Sequence, residues 1–158
     1  MMAKEIERRF LVEGTAWRDS VHVASSLEQF YLAGGHDRSV RIRIADEAIA
    51  TLTLKFGGQA LSRDEFEYPV PLAEAEEMRA FAVGNIIAKT RHRVDVAGYV
   101  YEVDVFRGAL AGLVIAELET PDHVADAKLP GWLGREVTGE PEYYNAVLAA
   151  RGLPERLQ

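Results

Sequence analysis

Along most of the chain, apolar and polar residues alternate with a period of two. Residues 4–12 (KEIERRFLV), 38–45 (RSVRIRIA), 49–56 (IATLTLKF), 63–70 (RDEFEYPV), 88–96 (AKTRHRVDV), 99–106 (YVYEVDVF) and 113–120 (LVIAELET) all show it. They are rich in β-branched and aromatic residues, so the pattern predicts strands. A shorter stretch at 28–33 (EQFYLA) brings the number to about eight. Helical signals are fewer. Residues 71–83 place Leu72, Ala75, Met78, Phe81 and Ala82 on one stripe behind Pro71, which suits a first helical turn. Thr120-Pro121-Asp122 reads as a cap, a first-turn proline and an acid, predicting a short helix over 121–128. Residues 142–151 are helical by composition, with Gly152 placed to end them, and 15–22, around Trp17, read as a short helix or an irregular lid. Gly34-Gly35, Gly57-Gly58 and Gly84-Asn85 read as turns, and none resembles an interdomain linker. The expectation is one domain over 1–158, mainly β (α+β), with a largely antiparallel sheet and a few inserted helices.

What distinguishes these strands is the identity of their polar parity. Glu5, Glu7 and Arg9 share a face opposite Ile6, Arg8 and Phe10. Arg41 and Arg43 lie opposite Val40, Ile42 and Ile44, and Lys55 follows Thr51 and Thr53 opposite Leu52, Leu54 and Phe56. Arg63, Glu65 and Glu67 share a parity; so do Lys89, Arg91 and Arg93; so do Glu102 and Asp104; so do Glu117 and Glu119. These are eight basic and eight acidic side chains, formally neutral together, so the chain's net charge of −7 lies on helices and loops. Signs are grouped by strand, Ser, Gln and Asn are scarce on this parity, and arginine, which grips phosphate with two parallel donors, outnumbers lysine.

Composition narrows the classes. With 158 residues and 48% hydrophobic content the chain can build a core and is not a disordered segment. It has no cysteine, which removes disulfides, thiolate metal sites and a cysteine nucleophile. Its acidity argues against a nucleic-acid polymer as partner. No apolar run approaches the roughly 18–20 residues of a membrane span, and the start, MMAKEIERRF, is too charged for a signal peptide, so a cytoplasmic protein is expected. His22, His36, His92 and His123 have no ligand-like spacing and read as surface or loop residues; Trp17 and Trp132 read as packing residues. The paired glycines lack the Lys-Ser/Thr of a phosphate-binding loop.

Two arrangements satisfy this pattern. In one, an ordinary sheet turns its charged face to water. In the other, about eight antiparallel strands close into a barrel wide enough for one small ligand, with charges filling the lumen and helices covering the apolar outside. Such a lumen repels itself strongly unless its ligand offers both signs. A polyanion would answer the basic wall and a hard divalent cation the carboxylate wall. Oxygen ligands without His or Cys favour Mg²⁺ or Mn²⁺.

Glu5-Ile6-Glu7-Arg8-Arg9-Phe10-Leu11-Val12 resembles the E-x-E-x-K signature of the CYTH family, the triphosphate tunnel metalloenzymes. The resemblance continues in family order through Gln29-Phe30-Tyr31-Leu32, Val40-Arg41-Ile42-Arg43, Thr53-Leu54-Lys55, Arg63-Asp64-Glu65-Phe66-Glu67-Tyr68, Lys89-Thr90-Arg91, Glu102-Val103-Asp104-Val105-Phe106, Glu117-Leu118-Glu119 and Tyr143-Tyr144-Asn145. It implies an eight-stranded antiparallel tunnel with a charged lumen. It also implies hydrolysis of a phosphoanhydride bond with Mg²⁺ or Mn²⁺, most simply of inorganic tripolyphosphate to pyrophosphate and phosphate. Other members hydrolyse thiamine triphosphate or nucleoside triphosphates or cyclise ATP, and a tunnel that binds polyphosphate without turnover is the non-catalytic alternative. The small-molecule triphosphate would be the partner, with no membrane, in a monomer or homodimer.

The roles implied are Arg41, Arg43, Lys55, Lys89 and Arg91 on phosphate oxygens, with Arg9 and Arg63 added and Arg93 at the mouth. Glu5, Glu7, Glu117 and Glu119 are the metal ligands. Glu65, Glu67, Glu102 and Asp104 are left to a second metal, the attacking water or the basic wall. Tyr31 corresponds to a family tyrosine that is a candidate proton acceptor, and Arg9 and Lys89 complete the catalytic set. Tyr143 and Asn145 plug one end of the barrel or anchor the last helix. The signature lysine is Arg9 here, which keeps the charge but cannot exchange a proton.

Overall fold

The computed structural model describes residues 6–35, 37–57, 64–120, 124–125 and 128–155. Glu5, His36, Arg63 and His123, and most of the helix expected over 121–128, lie outside them. Nine strands form a single sheet: β1 (Ile6–Val12), β2 (Val21–Gly34), β3 (Arg38–Ala45), β4 (Ile49–Phe56), β5 (Asp64–Val70), β6 (Val83–Val96), β7 (Tyr99–Arg107), β8 (Val114–Thr120) and β9 (Leu133–Glu136). Their order is β5-β4-β3-β2-β6-β7-β8-β1-β9, and every ladder is antiparallel. The mainly antiparallel architecture is as expected, but there are nine strands. Among the described residues, the edge strands β5 and β9 share no ladder. No helix of the described residues is long and apolar enough to cross a membrane.

Alternation sends the apolar parity of most strands to one face, where two clusters bury it; on β5, Phe66 and Tyr68 stay exposed. Phe30, Ile42, Ile44 and Ala50 pack under helix α1 (Leu72–Met78) through Ala75, Leu72 and Met78. Val94, Tyr101, Val103, Ala116 and Leu118 pack with Trp17, from the short 3-10 turn Ala16–Ser20, and with Val124. His92 belongs to this face. It is buried, edge-on to Trp17 at 4.9 Å between ring centroids, with Nδ1 3.2 Å from the Val103 carbonyl oxygen. That corrects its reading as a surface residue, since its parity on β6 is that of Val94.

The third cluster uses the opposite parity. Ile87, Phe106 and Ile115, with partly buried Leu11, continue the charged stripes of β6, β7, β8 and β1 toward one end, where partly buried Tyr31 of β2 joins them. Helix α2 (Asn145–Arg151) covers them with Leu148 and Ala149, preceded by the 3-10 turn Pro141–Tyr143 and buried Tyr143. Each inner stripe therefore changes from charged to apolar, and α2 closes the apolar end as a floor.

Candidate functional site

The middle of the charged parity is enclosed: Arg41, Lys89 and Asp104 are buried, while Glu7, Glu65, Glu67, Arg93 and Glu119 are exposed. Arg43 on β3 lies four strands from Glu117 on β8, about 19 Å away if the sheet were flat. Yet Asp104 and Glu117 both act on the Arg43 guanidinium, and Arg9 on β1 acts on the Tyr31 phenol on β2, again four strands away. That coupling, with Arg41, Lys89 and Asp104 buried on the same face, fits a sheet that curls so that β3 and β2 face β8 and β1. The lumen expectation holds over the alternative of an open charged face.

Ladder register sets the neighbours. Across β6 and β7, Arg91 stands opposite Asp104, and Arg93 opposite Glu102. Arg91 donates to Asp104 through Nε and NH2 at 2.8 and 2.9 Å, and Lys89 Nζ is 2.8 Å from Asp104 Oδ2. Lys89 and Asp104 are almost wholly buried. Burial would raise the Asp104 carboxyl, but the charges and hydrogen bonds of Lys89 and Arg91 overrule it and hold the group at about 2. Burial pulls the Lys89 amine down to about 8 against the opposing charge of Asp104. Arg91 is raised: burial opposes its charge, but Asp104, Glu117 and Glu102 more than compensate.

The basic wall continues on β2 and β3. Arg43 donates through Nε and NH2 to Gln29 Oε1 at 3.1 and 2.9 Å, and burial, aided by repulsion from Arg41 and Arg91, lowers its guanidinium to about 10. Arg41 is buried and reaches Thr53 Oγ1 at 3.4 Å. Two buried donors on this wall, Arg41 Nε and Gln29 Nε2, have no hydrogen-bond partner among the described residues, while Lys89 Nζ pairs with Asp104 and lies over the Phe106 ring. Buried donors without acceptors are rare and costly, and a cluster of them on one inner face is suited to anionic oxygens. Gln29 had been part of a motif without a role. Its place on the charged parity beside Tyr31 was the signal. Burial raises the Tyr31 phenol, against Arg41, Arg43 and Arg9, which lower it.

The acidic wall lies on β7, β8 and β1. Glu102 stands directly opposite Glu117, and Glu7 directly opposite Glu119. Like charges facing across a ladder destabilise a sheet unless a cation lies between or beside them. Arg9 supplies part of that: NH2 is 2.6 Å from Glu117 Oε1, Nε is 3.5 Å from Glu7 Oε1, and NH1 donates to the Tyr143 carbonyl oxygen at 2.8 Å. The donor set is all oxygen and suits a hard divalent ion, although no three acidic or histidine groups among the described residues already stand together as a cage. Lys55 and Glu65 are opposite each other on β4 and β5, where Glu65 and Glu67 are exposed. Arg93 is half exposed and faces Asp95 at 3.8 Å. Glu5 and Arg63 lie outside the described residues.

Comparison with known proteins gives a consistent set. The CYTH domain family model matches residues 3–152. A protein named inorganic triphosphatase from Acetivibrio thermocellus is 41% identical over 148 residues, covering 93% of this chain and 94% of its own. Another of that name, from Nitrosomonas europaea, is 35% identical over 149 residues, covering 92% and 96%. The crystal structure of an inorganic triphosphatase superposes with a TM-score of 0.76 at 31% identity, covering 97% of this chain and 99% of its own.

Proposed function

The chain belongs to the CYTH domain family, and from that premise we propose that it hydrolyses inorganic triphosphate to pyrophosphate and phosphate with a divalent cation. The observation that carries the reading is the enclosed inner layer. The basic side chains of β3 and β6 face carboxylates of β7, β8 and β1, and buried donors on the basic wall lack acceptors. A polyphosphate carried with a cation answers both walls.

In this reading Arg41, Arg43, Lys89 and Arg91 bind the phosphate oxygens, with Arg9, Lys55 and Arg63 extending the wall. Gln29 fixes the Arg43 fork and offers its own amide donor. Glu7, Glu117 and Glu119, with Glu5, would hold Mg²⁺ or Mn²⁺. Bound there, the ion would polarise the scissile phosphoanhydride and neutralise charge on the leaving group. Water attacks the terminal phosphorus as the bridging P–O bond breaks; pyrophosphate leaves, and the water's proton passes to a phosphate oxygen or to Tyr31. The basic wall stabilises the charge that develops. Lys89, held beside Asp104, supplies positive charge to the phosphate oxygens, and Tyr31 is the candidate proton acceptor, with cations Arg41, Arg43 and Arg9 acting on its phenol. Arg9 stabilises charge and exchanges no proton. The substrate is a small molecule rather than a nucleic-acid polymer, and the protein acts in the cytoplasm as a monomer or homodimer.

The test is release of phosphate from tripolyphosphate, ATP and thiamine triphosphate, each with Mg²⁺ or Mn²⁺. Fastest turnover of tripolyphosphate, abolished by EDTA, is the expected result. Tight binding of all three with no release would replace the hydrolase by a binding tunnel. Glu119→Gln should lower turnover on the order of 100-fold or more while the thermal midpoint stays put. Wild-type rates in that variant would remove Glu119 from the cation site.

A further inference from the structure

Arg9 does more than carry charge. Its three guanidinium nitrogens go to three different places: Nε toward Glu7 on its own strand, NH2 to Glu117 on β8, and NH1 to the Tyr143 carbonyl at the entry to α2. Its backbone is tied to the same C-terminal stretch, with Arg9 N donating to Thr138 Oγ1 at 2.9 Å and Val137 N donating to the Arg9 carbonyl at 2.8 Å. A lysine at this position has one nitrogen. Its three donors radiate from that one point, whereas Arg9 reaches Glu7, Glu117 and the Tyr143 carbonyl from three separate nitrogens. The floor it reaches is not locked on every side. α2 lines a cleft of about 750 Å³ that runs to Tyr31 and Arg38, which leaves room beside the helix.

We propose that Arg9 is the positioning residue that seats the C-terminal floor against the acidic wall, and that a divalent cation and this arginine compete for Glu117. The second half rests on the cation site proposed above; the first does not. A cation that takes Glu117 removes the shortest of Arg9's anchors and weakens its hold on Tyr143. Coupling of this kind is reciprocal, so loosening the floor must strengthen cation binding by the same factor.

The readout is hydrogen exchange at the Leu148 and Gly152 amides, which close the first and last turns of α2 onto the Tyr144 and Leu148 carbonyls. Arg9→Lys should speed their exchange at least about 10-fold while the Lys89 and Val103 amides in β6 and β7 stay protected. Glu117→Gln should do the same, and the double variant should add little, because one interaction is removed twice. Mn²⁺ alone, without substrate, should speed exchange at these amides in the wild type and leave Arg9→Lys unchanged. Calorimetry should show tighter Mn²⁺ binding to Arg9→Lys. Unchanged α2 exchange in both single variants would overturn the seating role. Faster exchange in the variants, but no Mn²⁺ effect in the wild type, would overturn the competition. Neither result depends on turnover, so phosphate release from tripolyphosphate judges the hydrolase reading separately.

Discussion

Asp104 is the residue on which the two walls turn. It is one carboxylate between two cations, Lys89 at 2.8 Å and Arg91 through a two-point fork, and it lies almost wholly out of water. Removing one member of a buried ionic group leaves the others uncompensated, at a cost of about 3–5 kcal/mol. Asp104→Asn should therefore lower the thermal midpoint by roughly 10 °C. Tripolyphosphate should restore more of that loss than it adds to the wild type, because the anion answers the charges the variant exposes. A midpoint within a degree of wild type would mean that Lys89 and Arg91 do not depend on Asp104. The pH dependence has a definite sign. The Asp104 carboxyl lies at about 2 in the fold, against 3.8 ordinarily, so its stabilisation is complete above pH 4 and is lost as pH falls toward 2. Chemical denaturation at pH 5 and pH 2.5 should show about 1.5 kcal/mol of this loss in the wild type and almost none of it in Asp104→Asn. At the other end, Lys89 is depressed to about 8 from 10.5, so the cost of burying its charge is present below pH 8 and is relieved as pH rises toward 10.5. This residue-level balance was only partly legible in the sequence. Parity put Lys89, Arg91 and Asp104 on one face, but only the β6–β7 register made Asp104 their common partner.

At the scale of elements, local alternation located the strands and long-range pairing decided their extent. β3 and β4 match the predicted ranges residue for residue, because a strict two-residue period sits between clear turns. β9 was missed: Leu133–Glu136 is four residues with a glycine, and it exists because Phe10 and Val12 of β1 pair with it. The Gly84-Asn85 turn is instead an irregularity inside β6. Pairing with β2 jumps from Gln29 opposite Ile87 to Tyr31 opposite Val83, so extra β6 residues bulge out there. Gly84 is required twice. Its φ is +77°, and a Cβ would lie 2.5 Å from the Ala149 carbonyl oxygen of α2. A backbone atom that close cannot turn aside as a side chain can. Gly84→Ala should therefore unseat α2 from the bulge, costing on the order of 2 kcal/mol. Circular dichroism should show the sheet retained, and proteolysis should cut in the 145–155 segment first. A variant as resistant as wild type in that segment would mean the bulge and the helix adjust independently. α2 itself was read as helical, with Tyr143 as plug or anchor. That it closes an apolar floor made by the charged stripes' own continuation could be seen only once Ile87, Phe106 and Ile115 were placed in register.

For the whole molecule, the sheet is built with its ionic face inward and its greasy face under α1 and the Trp17 turn, which makes stability and ligand binding one problem. The grouping of charge signs by strand pointed to this arrangement without excluding a water-facing sheet. What parity could not supply was the curl, because strand order β3-β2-β6-β7-β8-β1 comes from pairings between distant segments. An enclosed basic wall with unsatisfied donors predicts a large linkage between anion and fold. Tripolyphosphate without any divalent cation, at about 100 times its dissociation constant, should stabilise the native state by about 2.7 kcal/mol and raise the melting midpoint by roughly 5–10 °C. Arg41→Ala removes a buried donor from that wall and should lower the affinity for the anion, so the shift at the same concentration shrinks. Raising NaCl from 0.15 to 1 M should shrink it as well, by weakening the pull on the approaching anion, without abolishing it, since charges inside the curl are poorly screened. A sheet with these side chains on open display would give the contrary result: a shift of a degree or less, erased by salt, and indifferent to Arg41→Ala.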